Sequence, residues 1–236
     1  MIGAIAVVIP ARDETELIGR CLESVLAAKR EVAADIAVSI TVVADRCTDD
    51  TADVARRYPG VTVVEIDAGN VGVARATGVM LALEGNAVLP DRVWIASTDA
   101  DSAVPAGWLL EQARLARRGA GVMLGTVRPD FDDLDDEQAR AWAVLHTGER
   151  ALGEVHGANL GVRADVYLAV GGFPGLAEHE DVAFVDHCSA LGATITASDR
   201  CEVTTSGRQI GRTPGGFARY LRDDLRNPQA MANPAL

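Results

Sequence analysis

The six apolar residues Ala4 to Ile9, most of them β-branched, run directly into the polar turn Pro10-Ala11-Arg12-Asp13-Glu14. An unbroken apolar run of this length suits a strand covered on both faces, the place of a central strand in a parallel sheet. Leu17, Ile18, Cys21, Leu22, Val25 and Leu26 then recur at helical spacing. Strand, turn and amphipathic helix therefore follow one another as the first half of a βαβ unit. The alternation continues. Val38 to Val43, Val61 to Ile66, Val93 to Ser97 and Val122 to Val127 have strand character, and helical patterns fall between them, through Arg57, to about Glu84, and from Pro105 to Arg117. The expected fold class is α/β, with a mostly parallel central sheet flanked by helices.

The first turn contains no glycine, which argues against a dinucleotide-binding G-x-G-x-x-G loop and against a Walker loop, since both need close backbone approach there. With 236 residues, 48% of them hydrophobic, the chain can bury a large core as one compact unit. Its formal charge of -12 argues against a nucleic-acid surface, which needs a basic stripe. Anionic small molecules stay open, because a few arginines and a metal can make a positive pocket on an acidic protein. Ile2 to Ile9 is too short for a secretory signal and lacks a cleavage site, and no stretch is long enough to span a bilayer. Cys21, Cys47, Cys188 and Cys201 are scattered singly, the pattern of reduced thiols in a cytoplasmic protein.

The strand Val93 to Ser97 leads into Thr98-Asp99-Ala100-Asp101, placing two acids at a strand's carboxyl end, the ligand edge of an open α/β sheet. Carboxylates at i and i+2 of an extended segment lie on one side, roughly 6 to 7 Å apart at the backbone, and both can lean toward a hard divalent cation such as Mg²⁺ or Mn²⁺. The competing reading is a helix-capping loop, with one aspartate on backbone amides and the other solvated. Thr48 or Asp49 can cap the second helix, whereas Asp45 sits just past its strand, where a carboxylate can accept from a nucleobase N–H or a ribose hydroxyl. Arg12 and Glu14 are either ligand-facing groups or ordinary helix-terminal charges. Arg75 gains nothing from the dipole in the first turns of its helix, which leaves a phosphate or a neighbouring acid as its partner.

Six acids between Asp130 and Glu137 suit a solvated loop and helix start. Beyond them, Val155 to Arg163 has the character of a strand whose glycines allow a ligand close to the backbone. Glu180-Asp181 heads another helix, either as capping acids or as a general base with its neighbour, and His156 and His179 have structural and ligand readings alike. Past Ile195 the pattern weakens. The stretch Thr204 to Gly216, rich in glycine and arginine and including Arg208, suits a loop that closes over phosphates, and a last amphipathic helix covers about Phe217 to Leu225.

Taken together, from Ala4 to about Leu191, these pieces resemble the GT-A glycosyltransferases, most closely the large inverting family 2. Val7-Val8-Ile9-Pro10-Ala11-Arg12-Asp13-Glu14 is similar to its V-I-P-x-x-N-E opening. Val42 to Thr51 is similar to V-D-D-G-S-T-D-x-T, with Ala44 in place of the first acid, Asp45 as the second, and Arg46-Cys47 for Gly-Ser. Asn70 to Gly78 matches N-x-G-x-x-x-A-R-N-x-G imperfectly, with two residues fewer. Asp99-Ala100-Asp101 corresponds to D-x-D, and Gly157-Ala158-Asn159, Gly171-Gly172-Phe173 and Glu180-Asp181 follow as the acceptor-side strand, the G-G-F turn and the E-D pair.

The resemblance implies a single Rossmann-like GT-A domain over residues 1–236, its nucleotide half at 1–103, its acceptor half at 104–225 and a flexible tail at 226–236. It implies a metal-assisted, inverting hexosyltransferase-like activity, with Asp101 and Asp99 holding Mn²⁺ or Mg²⁺ and Asp181 acting as base beside Glu180. Donor contacts would come from Pro10, Ala11, Arg12, Glu14, Asp45, Arg75, Asp99, Ala100, Asp101 and Arg208, and acceptor contacts from Gly157, Ala158 and Asn159. Many members add a histidine ligand near the carboxyl end, where this chain has Thr204, Thr205, Ser206 and Arg208. The implied partners are a nucleotide-sugar donor and a small-molecule, glycan or lipid-linked acceptor, with no nucleic acid. Two other classes stay open, a sugar nucleotidyltransferase and a non-catalytic sugar-nucleotide sensor, as do base, sugar, acceptor and oligomeric state.

Overall fold

The computed structural model describes residues 2–85, 87–146, 153–213 and 215–225. Its strands are β1 (Ala4–Ala11), β2 (Ala37–Asp45), β3 (Val61–Ile66), β4 (Val93–Ser97), β5 (Ser102–Ala103), β6 (Val122–Pro129), β7 (Leu160–Arg163) and β8 (Ile195–Thr205). Its helices are α1 (Ile18–Glu31), α2 (Thr51–Arg56), α3 (Val71–Glu84), α4 (Trp108–Arg117), α5 (Asp136–Leu145), α6 (Ala164–Ala169), α7 (Glu180–Ala190) and α8 (Phe217–Arg219).

All the strands join one sheet in the order β3-β2-β1-β4-β7-β6-β8-β5. Every residue of β1 is buried, as its apolar run requires. Ile5, Val7 and Ile9 point to one face, where Ile18, Cys21, Leu22 and Val25 of α1 and Trp108 and Leu109 of α4 cover them. Ala4 and Val8 point to the other, with Val79 of α3 and Phe184 and Cys188 of α7. This two-sided burial follows from the period of two along a strand and a layer of helices on each face.

The first half is parallel throughout: β1 pairs with β2 and β4, and β2 with β3. The second half is mixed. β7 runs antiparallel to β4 and β6, β6 and β8 are parallel, and β5 is antiparallel to β8. Four of the seven pairings are parallel, so the expectation of a mostly parallel sheet holds through the strands of the first half.

Several sequence expectations shift at their edges. The strand expected from Val155 begins at Leu160, because Gly157–Asn159 form a single turn of 3-10 helix. The helix expected from Pro105 starts at Trp108. Asp50, not Thr48 or Asp49, occupies the N-cap of α2, while Asp49 accepts from the Thr51 N–H at 3.0 Å. The weak pattern past Ile195 conceals β8, an 11-residue strand. Its buried residues Ser198, Cys201, Val203 and Thr205 lose the two-residue period between 198 and 201, where the register against β6 also shifts. The last helix is a short α8 continued by a π-helical turn, Tyr220–Asp224. The tail expected to be flexible, 226–236, and Pro214 of the arginine-rich loop lie outside the described residues.

Where α3 crosses the sheet, Gly78 lies so close that an added Cβ would come within 2.5 Å of Val8 Cγ1 and 3.1 Å of Val43 Cγ2. Alanine at this helical position gains propensity, but these stiff, buried β-branched neighbours have no space to move into. Gly78→Ala is expected to destabilise the fold by about 1–3 kcal/mol, the usual cost of overpacking, seen as a lower urea midpoint with an unchanged m-value.

Candidate active site

The carboxyl ends of β1, β2 and β4 open on a cavity of about 640 Å³. Pro10, Ala11, Arg12, Glu14, Asp45, Arg75, Asp99, Ala100, Asp101 and Arg208 line it, together with Gly157, Ala158, Glu180 and Asp181. Asn159 does not. Its side chain is fully buried in the core, where Nδ2 donates to the Thr126 and Cys201 carbonyls at 2.8 and 2.9 Å and Oδ1 accepts from Trp108 Nε1 at 2.9 Å. All of its polar capacity toward the protein braces β6, β8 and α4, which removes it from the expected acceptor contacts.

Asp45 ends β2 and is buried. Its Oδ1 accepts from the N–H groups of Ala68 and Gly69 at 2.8 Å, and its Oδ2 accepts from that of Asn70 at 2.7 Å. Asn70 in turn caps α3, its Oδ1 accepting from the Val73 N–H at 3.0 Å. Asp45 therefore holds the loop that launches α3 at a fixed place on the cavity wall.

From α3, Arg75 reaches inward and is only 3% exposed. Nε donates to Ser97 Oγ at 3.1 Å, Nη2 pairs with Asp99 Oδ1 at 2.5 Å, and Nη1 pairs with Glu180. Asp181, next to Glu180 at the head of α7, accepts through Oδ2 from the Gly157 N–H at 2.7 Å and through Oδ1 from the Val182 N–H at 2.8 Å.

The other acid of the D-x-D stretch has separate partners. Asp101 Oδ2 pairs with Arg208 Nη2 at 2.7 Å, and Oδ1 accepts from the hydroxyls of Ser102 and Thr205 at 3.3 and 3.2 Å. The β5–β8 pairing makes this possible, since it sets Ser102 opposite Thr205 and carries the loop after β8 back to residues more than a hundred positions earlier. Arg208 also pairs with Glu14 at 2.8 Å, and Arg212 joins Glu14 at 3.2 Å. Arg12 is exposed and makes no side-chain hydrogen bond or ion pair with another described residue.

Charge is crowded here. Burial, with Asp101 adding to it and Arg208 and Arg212 opposing, pushes Glu14 from 4.5 up to about 7. Burial also raises Asp99, with Asp101 and Asp181 adding to the effect and Arg75 opposing it. Eight acids and four arginines line the cavity, an excess of negative charge that a divalent ion relieves. Asp99 and Asp101 offer only hard oxygen donors, a set that suits Mg²⁺ or Mn²⁺ completed by water and phosphate. The residues fit the metal. Among the described residues, the one group of three possible ligands within 4.8 Å of one another is Asp13, Cys47 and Asp49, which is absent from the cavity lining. The two acids there brace loops instead, Asp13 accepting from the Thr48 N–H at 2.6 Å and Asp49 from the Thr15 N–H at 3.1 Å.

Residues 6–159 match the family described as Glycosyl transferase family 2, well over half the chain. The chain belongs to that family. No curated protein matches it by sequence. Among solved structures, this family 2 chain is similar to residues 1–349 of S. aureus TarS in complex with UDP-GlcNAc, at 17% identity, a TM-score of 0.67, and coverage of 91% of this chain and 61% of that one. It is also similar to the mannosyltransferase PcManGT from Pyrobaculum calidifontis in complex with GDP-Man and Mn²⁺, at 18% identity, a TM-score of 0.67, and coverage of 99% and 65%. These likenesses show a shared GT-A fold, and the chain spans less than two-thirds of the length of both structures. No helix among the described residues is long and apolar enough to cross a membrane.

The motifs of this family 2 chain thus converge on one cavity, apart from Asn159 and the Gly171-Gly172-Phe173 turn, whose Phe173 packs in the core against Tyr167 and Phe184. The sequence reading missed Arg212, the hydroxyl of Ser102, and an aromatic wall formed by Trp142, His146, Phe217 and Tyr220. Arg212 lies inside the arginine-rich stretch already singled out, whereas no local pattern shows α5 and the carboxyl-terminal segment meeting.

The upward shift of Glu14 has a thermodynamic sign. A folded-state value above the unfolded one means that the folded chain binds more protons between 4.5 and about 7, so stability is greatest below this window and is lost as pH rises through it. In EDTA, the melting temperature should fall between about pH 5 and pH 8, and Glu14→Gln should flatten that slope.

Proposed function

We propose that this chain transfers a sugar from a nucleoside-diphosphate donor to an acceptor hydroxyl with inversion. The observation that carries this reading is the meeting in one cavity of the D-x-D acids, the arginines after β8 and the carboxylate of Asp181. One half, residues 1–103, supplies the nucleotide side, with Pro10, Ala11, Arg12, Glu14 and Asp45 as walls. The other, 104–225, supplies the acceptor side, with Gly157, Ala158 and Asp181. The donors named in the two similar structures, UDP-GlcNAc and GDP-Man, support a nucleotide sugar as ligand.

Asp99 and Asp101 would hold Mn²⁺ or Mg²⁺, which when bound neutralises charge on a diphosphate. Asp181, steadied by the Gly157 and Val182 N–H groups, takes the proton from the acceptor hydroxyl as its oxygen attacks the anomeric carbon. The bond from that carbon to the diphosphate oxygen breaks on the opposite face, and the electron pair leaves with the nucleoside diphosphate. Arg208 and Arg212 stand at the edge where this negative charge grows, and fixed cations in a partly enclosed site stabilise it without reorganising. The four unpaired cysteines suit a reducing compartment, so we assign the reaction to the cytoplasm.

A thermal-shift panel of nucleoside diphosphates and their sugars, with and without Mn²⁺, tests the donor assignment, because a ligand of the native state raises the melting temperature by mass action. At least one diphosphate should stabilise only with the metal, and Asp101→Asn should abolish that dependence. A flat panel across all bases would discredit the assignment. Asp181→Asn should keep donor binding and lower turnover by about 10²- to 10⁴-fold, the usual worth of a general base. Unchanged turnover would point to another base.

A further inference from the structure

We infer that Arg75 is a positioning residue that ties the donor-side aspartate to the acidic pair on α7, and is not a contact to the nucleotide. The inference rests on the transfer reaction proposed above and assigns a role within its site.

The guanidinium is buried and its three nitrogens are all engaged, with Ser97, Asp99 and Glu180. A planar fork of this kind fixes two carboxylates at a set angle, which a flexible ammonium does not. Arg75 also reaches the second acid of the pair indirectly. Gly157 lies against it so closely that an added Cβ would fall 2.3 Å from Nη2, and the N–H of that same glycine holds Asp181 Oδ2 at 2.7 Å. Glu180 is therefore held by an ion pair and Asp181 through the backbone resting on the guanidinium. Asp99 stands at the far end of the same tie, so whatever the donor side does to its charge acts on a cation shared with Glu180.

Disturbing the fork should misplace the base and leave the nucleotide walls formed by Pro10, Ala11 and Asp45 intact. The kinetic signature is a loss in kcat at nearly constant donor affinity, whereas a nucleotide contact would lose affinity. Hydrolysis of UDP-N-acetylglucosamine and of GDP-mannose with Mn²⁺, water serving as acceptor, supplies the first readout. Arg75→Lys should lower kcat by about 10²-fold, the cost of a small misplacement, with donor affinity within about threefold of the parent. Glu180→Gln should reproduce the pattern, and it carries the test alone if Arg75→Lys does not fold. A rise in donor KM of about tenfold or more with kcat retained would overturn the inference.

The second readout needs no ligand. Asp99→Asn and Glu180→Gln, combined in a double-mutant cycle of urea unfolding, should depart from multiplicative behaviour by about fivefold or more in the folding equilibrium constant. The departure should vanish on an Arg75→Met background. Multiplicative behaviour with Arg75 present would overturn the tie. If neither sugar nucleotide is bound or hydrolysed, those two donors are ruled out, the panel across all bases decides the transferase reading, and the cycle still decides whether Arg75 joins the two acids.

Discussion

A single buried cation shared by two acids from distant parts of the chain organises this molecule. Arg75 meets Asp99 and Glu180, more than eighty positions further on, with almost no exposure to solvent. Such an arrangement adds little net stability, because removing the charges from water costs about as much as their attraction returns. Its value is geometric. Losing one partner would leave an uncompensated charge inside the protein, so the elements bearing the three groups are confined to one mutual arrangement. Asp45 extends this confinement outward, since its grip on the 68–70 backbone sets where α3 begins and hence where the guanidinium can reach.

The second tier of the site is built from the opposite direction. The two-residue strand β5 follows the D-x-D acids directly and pairs with the end of β8, and that pairing, with the Gly207 N–H donating to Asp133 Oδ2 at 2.8 Å, brings Arg208 to Asp101 and Glu14. Acids thus come from the amino-terminal half of the sheet, and the arginine stretch answers them from the carboxyl-terminal half. Burial, with Asp101 adding to it, leaves Glu14 and Asp99 with raised pKa values at this junction.

How much of this was legible in the sequence follows from where each signal is stored. β1 and β4 are buried along their whole length and spell themselves as nearly continuous apolar runs, so their positions are visible without coordinates. β8 alternates buried and exposed residues and then breaks its period at an irregular register, which hides an 11-residue strand behind Asp199, Arg200 and Glu202. The site divides in the same way. Asp99, Asp101, Asp181 and Gly157 stand in short motifs with recognisable spacing. The use made of Arg75 and Asp45 depends on burial and on backbone partners from other elements, and Asn159 sits inside a motif yet faces the core. Local pattern carries residue type and order, whereas the direction in which a side chain turns is decided by packing.

The aromatic wall carries a consequence of a different kind. Trp142, stacked on His146 at 3.5 Å, meets Phe217 and Tyr220 edge-on and, with Leu221 and Leu225, forms a small satellite core apart from the two layers that cover the sheet. One side of the cavity is therefore upholstered by a patch distinct from the two layers and joined to the larger of them at Phe217. Such a division lets the chemistry stay constant while the lining drifts, so that relatives sharing this framework can come to greet different guests without retooling their engine.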